Sequence, residues 1–207
     1  MIGLIDLGVG NLFSLSNLFT KITKKKIIII DNAEFLTQNK NEISHLVLPG
    51  VGSYPAAMKM IESSNWKESI IKFKDTNKPI LGICLGMQLF FDQSEENEVM
   101  TKGLGLLKGN VVKMKVKNSY KLPHVGWNDL KIEKKDPILD DLNLDIDFYF
   151  LHSYKCLPTS DDIIICKTDY SEMFPSIIRQ NNIIGFQFHP EKSSKIGQKL
   201  IENFLNL

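Results

Sequence analysis

The stretch from Lys78 to Gln88, Lys-Pro-Ile-Leu-Gly-Ile-Cys-Leu-Gly-Met-Gln, constrains the fold of this chain more than any other. A short apolar run opened by Pro79 reads as a buried strand, residues 80–84. It passes through Gly82-Ile83-Cys84-Leu85-Gly86 into a helix-like segment, residues 85–91. Strand, sharp turn and helix in that order make a nucleophile elbow, here with a thiol at its tip. The flanking glycines supply the φ freedom and close backbone approach that such a turn needs. A sulfur at the start of a helix also feels the positive end of the backbone dipoles, which favours the thiolate. The chemistry predicted is acyl transfer through a thioester.

An elbow needs a sheet behind it. Strand-like segments at 2–6, 27–31, 45–48 and 80–84 alternate with helical ones at 12–22, a short helix capped by Asn32, and 58–74, broken around Ser63-Ser64-Asn65. That alternation predicts an α/β fold of three layers, a mostly parallel central sheet with helices on both faces. After Gly103 the rhythm changes. Residues 111–116, 126–132, 148–152, 163–167 and 183–188 are strand-like with few helical stretches between them. They predict additional antiparallel strands in the C-terminal half, extending the sheet or forming a smaller one on its flank. Residues 195–205 have the apolar spacing of a closing amphipathic helix. No linker or internal repeat interrupts the pattern, so a single domain over residues 1–207 is expected.

The bulk properties exclude several classes. A formal net charge of +1 gives no electrostatic case for nucleic-acid or anionic-membrane binding. No apolar run approaches the roughly 20 residues of a membrane span. The opening Met1-Ile2-Gly3-Leu4-Ile5-Asp6 reads as a first strand rather than a signal peptide. Cys84, Cys156 and Cys166 are odd in number and widely spaced, which makes neither a disulfide framework nor a Cys-x-x-Cys metal site. A reducing cytoplasm, which would keep Cys84 free, is the expected setting, and no metal or organic cofactor is expected. The run from Asp6 to Asn11 lacks the third glycine of a dinucleotide loop. Lys24-Lys25-Lys26 reads as a solvated helix end.

A thiolate nucleophile needs a base, and histidine is suited to it near neutral pH. Of His45, His124, His152 and His189, the first opens a buried-looking strand and reads as structural. His189 ends the apolar run 183–188 and is followed by Pro190 and Glu191. The C-terminal end of a strand is where open α/β sheets place their sites, and a nearby carboxylate can fix the imidazole tautomer. The turn Pro49-Gly50-Val51-Gly52 also follows a strand. It offers backbone N–H groups to a developing oxyanion, with the Leu85 amide as a second donor.

Six segments in order along the chain carry a resemblance: Ile5-Asp6-Leu7-Gly8-Val9-Gly10-Asn11, Leu48-Pro49-Gly50-Val51-Gly52, the elbow itself, Pro123-His124-Val125-Gly126-Trp127-Asn128, Phe148-Tyr149-Phe150-Leu151-His152-Ser153-Tyr154, and Gly185-Phe186-Gln187-Phe188-His189-Pro190-Glu191-Lys192-Ser193. Through them the sequence resembles the class I, triad-type glutamine amidotransferases, and within these the glutaminase subunits of imidazole glycerol phosphate synthases. The resemblance implies Cys84 as nucleophile, His189 as base and acid, and Glu191 as its orienter. It implies Gln88 and Glu96 as holders of the L-glutamine substrate. Gly52 and Leu85 become the oxyanion donors, after the Pro-Gly-Val-Gly segment has turned over. Asn11, Trp127 and Lys192 would face a partner synthase, with Tyr149 and His152 near the route by which ammonia leaves. The implied partner is a (βα)₈-barrel cyclase subunit in a heterodimer that serves histidine biosynthesis. Leu7, Val125 and Lys155-Cys156 depart from the family pattern. They leave open a paralogue feeding another synthase, such as a sugar-modifying amidotransferase, or a catalytically silent partner-binding subunit.

Overall fold

The computed structural model describes residues 1–8, 12–98, 100–117, 119–142 and 146–207, so Asn11 lies outside the described residues. The N-terminal half alternates as β1 (Ile2–Ile5), α1 (Leu12–Ile22), β2 (Ile27–Ile30), α2 (Ala33–Asn39), β3 (His45–Leu48), α3 (Tyr54–Ser63), α4 (Trp66–Lys74), β4 (Ile80–Ile83) and α5 (Leu85–Gln88). Beyond it come β5 (Gln93–Ser94), β6 (Thr101–Lys102), β7 (Gly109–Lys113), β8 (His124–Asn128), β9 (Lys131–Ile132), β10 (Phe148–His152), β11 (Tyr154–Pro158), β12 (Ile164–Tyr170), β13 (Glu172–Gln180), β14 (Ile183–Phe186) and α6 (Ser194–Leu205).

The main sheet runs β2-β1-β3-β4-β14-β13-β12-β9. The strands from β2 to β14 are parallel, and the remaining three continue it antiparallel. Strands β1, β3, β4 and β14 are buried along their whole length, as expected of parallel strands covered on both faces. One face packs against α1 and α6 through Phe19, Leu200 and Phe204. The other packs against α2, α3 and α4 through Leu36, Ile61, Trp66 and Phe73. The three-layer expectation holds. The antiparallel strands both extend the sheet and build two flanking pieces, the β8–β10 ribbon and a β11-β7-β5-β6 sheet. Among the described residues no helix is long and apolar enough to cross a membrane.

Local differences have local causes. The helix expected from residue 58 begins at Tyr54, because Pro55 pre-sets φ in its first turn. Asn65, at φ 57°, breaks it from α4. Asn32 does cap α2, accepting from the Phe35 N–H at 2.8 Å. The elbow helix closes after Gln88, earlier than residue 91. The strand expected over 126–132 splits into β8 and β9. Strands β11 and β13 were not expected. Pro175 inside β13 reads as a breaker, yet it pairs only with Lys167 of β12, while pairing to β14 starts at Ile177. It sits at a register shift of that pairing, the kind of irregular position where a strand tolerates a missing N–H.

Lys78 ties the entry of β4 to the entry of β3. Its ammonium donates to the carbonyls of Lys40 (2.8 Å), Asn41 (2.7 Å) and Ile43 (2.8 Å), just past the end of α2. Methionine would keep the stem and lose all three charge-assisted bonds. Lys78→Met is expected to cost about 2 kcal/mol, a drop of roughly 4–8 °C in melting temperature. A drop under about 1 °C in a thermal melt would show that water replaces the ammonium without loss.

Candidate active site

The elbow is built by three close approaches. Cys84 holds φ 52° and ψ −108°, a strained conformation for a residue with a Cβ. Its N–H is anchored to the Phe186 carbonyl at 2.7 Å. A Cβ on Gly82 would lie 2.6 Å from the Met87 nitrogen, and one on Gly86 would lie 1.8 Å from the Leu48 carbonyl oxygen. On the facing turn, a Cβ on Gly50 would meet the Leu85 Cβ at 2.8 Å. Gly52, at φ 106°, has open space around it instead. Gly50 thus clamps the turn to the elbow, and Gly52 gives the exposed Val51 peptide freedom.

Register brings the two catalytic candidates together. Ile83 pairs with Phe186 across parallel strands β4 and β14. Cys84 and His189 therefore both emerge at the C-terminal edge of neighbouring strands. The His189 backbone is fixed by β10 of the ribbon: its N–H donates to the Tyr149 carbonyl at 2.9 Å. Ser193 Oγ donates to the His189 carbonyl (2.7 Å) and accepts from the Tyr149 N–H (3.1 Å). His189 Nδ1 bonds Glu191 Oε1 at 2.9 Å, and both side chains are almost fully buried. Among the described residues its buried Nε2 meets no hydrogen-bond partner of good geometry, with the Cys84 sulfur near enough to bias its charge.

Burial favours the neutral imidazole of His189, but the Cys84 sulfur and then the Glu191 carboxylate outweigh it and push the ring up to about 10. The charged ring supports the fold fully below the ordinary histidine value of 6.5, and that contribution fades as pH rises through about 10. In a proton NMR titration, the His189 ring should stay protonated past pH 8. Cys84→Ala should lower its midpoint; an unchanged midpoint would show that the sulfur does not hold the charge.

Cys84, Leu85, Gly52, Gln88, Glu96 and His152 line one cavity of about 190 Å³. Cys84 Sγ lies 3.6 Å from the Leu151 carbonyl oxygen, within reach of a donated S–H when the sulfur is protonated. Glu96 Oε2 accepts from the Tyr54 N–H at 3.0 Å, which fixes its carboxylate at the start of α3 beside the Pro-Gly turn. Gln88 donates to the Tyr154 carbonyl (3.0 Å) and to Gln187 Oε1 (3.1 Å), and Gln187 Nε2 lies 3.7 Å from Cys84 Sγ. Sequence reasoning missed Gln187, although a polar residue between Phe186 and Phe188 in an apolar strand was a signal.

The flanking residues divide. Trp127 and Tyr149 stack edge to face at 5.6 Å on the exposed side of the ribbon, with the Lys192 ammonium 5.2 Å from the Tyr149 ring centre. His152 faces the opposite, buried side. Its Nδ1 donates to the Tyr154 carbonyl at 2.9 Å and its Nε2 meets His124 Nδ1 at 3.2 Å. Burial first, opposed by that carbonyl bond, takes its ring down to about 3, so it stays neutral.

A mostly parallel sheet carrying a cysteine elbow beside a His–Glu pair fits the cysteine-dependent glutamine amidotransferases. The family model for glutamine amidotransferase class-I matches residues 4–207. The chain is 45% identical over 207 residues to the imidazole glycerol phosphate synthase subunit HisH of Methanocaldococcus jannaschii, covering 100% of both. It is 42% identical over 200 residues to that of Aquifex aeolicus, covering 97% of this chain and 93% of that one. A crystal structure of a glutamine amidotransferase superposes with a TM-score of 0.71 at 14% identity, covering 100% of this chain and 98% of that one, a likeness of fold. The chain belongs to the HisH family of class I glutamine amidotransferases.

Proposed function

We propose that the chain works as one domain over residues 1–207 and hydrolyses L-glutamine through Cys84, as the glutaminase subunit of an imidazole glycerol phosphate synthase. The observation that carries the reading is the strained Cys84 elbow opening into the same cavity as Gln88 and Glu96, with the buried His189–Glu191 pair behind the sulfur. The sulfur attacks the side-chain amide carbon, and the backbone N–H groups of Leu85 and Gly52 receive the oxyanion. The imidazolium of His189 passes its proton to the amide nitrogen, and ammonia leaves. Water then attacks the glutamyl thioester with His189 as base, giving glutamate and returning the thiol. Gln88 and Glu96 hold the amino-acid end of the substrate.

Free ammonia at neutral pH is mostly protonated and lost to solvent, so an acceptor must dock over the site. The relatives' names supply it: a synthase of which this chain is one subunit. We assign the acceptor to a (βα)₈-barrel cyclase subunit, seated on the Trp127, Tyr149 and Lys192 face, in a cytoplasmic heterodimer. Three free cysteines suit that reducing setting.

The test is glutamate release from glutamine by the purified chain, alone and with the barrel subunit plus its ribotide ligand. Little release alone and a stimulation of roughly 5–150-fold in the complex is expected. Equal rates would sink the coupled reading. No stimulation, with Cys84 still reactive towards a glutamine-like electrophile, would assign the chain to a different synthase.

A further inference from the structure

Gln187 is fully buried between Phe186 and Phe188 and does not line the cavity, so it has no direct path to glutamine. The orientation of its amide follows from one fixed point. The Tyr154 carbonyl can only accept, so Gln88 must turn its NH₂ towards it. The same nitrogen meets Gln187, which must therefore present its oxygen there. Gln187 is left with its NH₂ towards Cys84 Sγ at 3.7 Å. Gln88, with both N–H groups committed, keeps its oxygen as the atom it can offer to substrate.

The sulfur thus lies between two opposed contacts. The Leu151 carbonyl, at 3.6 Å, accepts from S–H and stabilises the thiol. The Gln187 N–H stabilises the thiolate, because a donor aimed at the anion lowers its energy relative to the protonated form. We propose that Gln187 is a positioning residue that holds the Cys84 sulfur in its anionic, reactive form, with its own orientation set through Gln88 by the Tyr154 carbonyl. The inference rests on the reading of Cys84 as nucleophile. It assigns Gln187 no contact with glutamine, so its removal should lower kcat and spare KM.

The test compares the full chain with Gln187→Met, which keeps the volume, and Gln187→Glu, which keeps the shape. Glutamate release and the pH profile of Cys84 alkylation by iodoacetamide are measured for each. For Gln187→Met, kcat should fall about tenfold with KM within about twofold, and alkylation should shift to higher pH by about one unit. For Gln187→Glu, activity should fall further as pH rises, since an ionising carboxylate beside the sulfur repels the thiolate. Should the methionine variant fail to fold, the glutamate variant carries the test alone. An alkylation profile that matches the parent's in every folded variant overturns the proposal, whatever the loss of activity. Parent enzyme that still hydrolyses glutamine after complete alkylation of Cys84 overturns the nucleophile reading, and this proposal with it.

Discussion

Cys84→Ala is expected to lower glutamine-dependent turnover by about 10⁴-fold or more while leaving synthesis from added ammonia intact in the complex. The loss is large because, among the described residues, Cys84 carries the one thiol that lines the cavity. Among the described cysteines, Cys156 and Cys166 are both fully buried. Burial first, with neighbouring charges adding to it, raises both thiols, Cys166 to about 12, and neither lines the cavity. Ammonia-dependent synthesis should survive because alanine keeps the Cβ and the elbow backbone, so the partner meets an unchanged surface. Loss of both activities would make Cys84 structural. Cys84→Gly should be equally inactive yet melt above Cys84→Ala, since glycine occupies φ 52° without the strain a Cβ brings. A lower melting temperature for the glycine variant would mean that the elbow stores no strain.

Much of this site was legible because its signals are local. Gly-x-Cys-x-Gly after an apolar run, and His-Pro-Glu after another, each declare a chemistry within a few residues, and the alternation before Gly103 declares the sheet that unites them. What was not legible is contributed by backbone. The Leu151 carbonyl that faces the Cys84 sulfur and the Tyr149 groups that pin His189 come from β10, a strand outside the main sheet. No side-chain pattern encodes a carbonyl's direction. The same holds for β13, where Pro175 conceals a strand until its pairing is known. Tyr149 and His152, which the resemblance places together near the ammonia route, lie three positions apart on β10 and so on opposite faces of it, and of the two His152 lines the cavity.

The proposed docking face and the catalytic candidates share one structural element, the ribbon. Its outer side presents Trp127 and Tyr149, and its inner side carries His152 against the cavity. The backbone of the same strand touches Cys84 through Leu151 and His189 through Tyr149. Among the described residues β8 and β10 pair with each other and with no strand of the main sheet, and a side-chain bond from Asn128 to the Asp169 carbonyl at 3.3 Å links the ribbon to β12. Under the proposed docking, a partner that displaced Tyr149 would displace the backbone supports of both Cys84 and His189.

Gly86→Ala is expected to damage stability and catalysis together, because one residue serves both. Its new Cβ would lie 1.8 Å from the Leu48 oxygen and 2.8 Å from the Leu48 carbon. These are backbone atoms at the end of β3, so no rotamer relieves the contact. Either β3 and its Pro-Gly turn retreat, carrying Gly52 away, or α5 retreats, carrying the Leu85 N–H. Both routes separate the two proposed oxyanion donors. The expected cost is about 3 kcal/mol or more in urea unfolding. In whatever protein remains folded, kcat should drop about 10²-fold while Cys84 stays open to alkylation, since the sulfur is untouched and the oxyanion contacts are not. Gly126→Ala is the control: a Cβ there meets nothing within 4 Å, and its stability should stay within about 0.5 kcal/mol of the parent. If the two variants unfolded alike, the packing of elbow on β3 would not be what holds the donors in register.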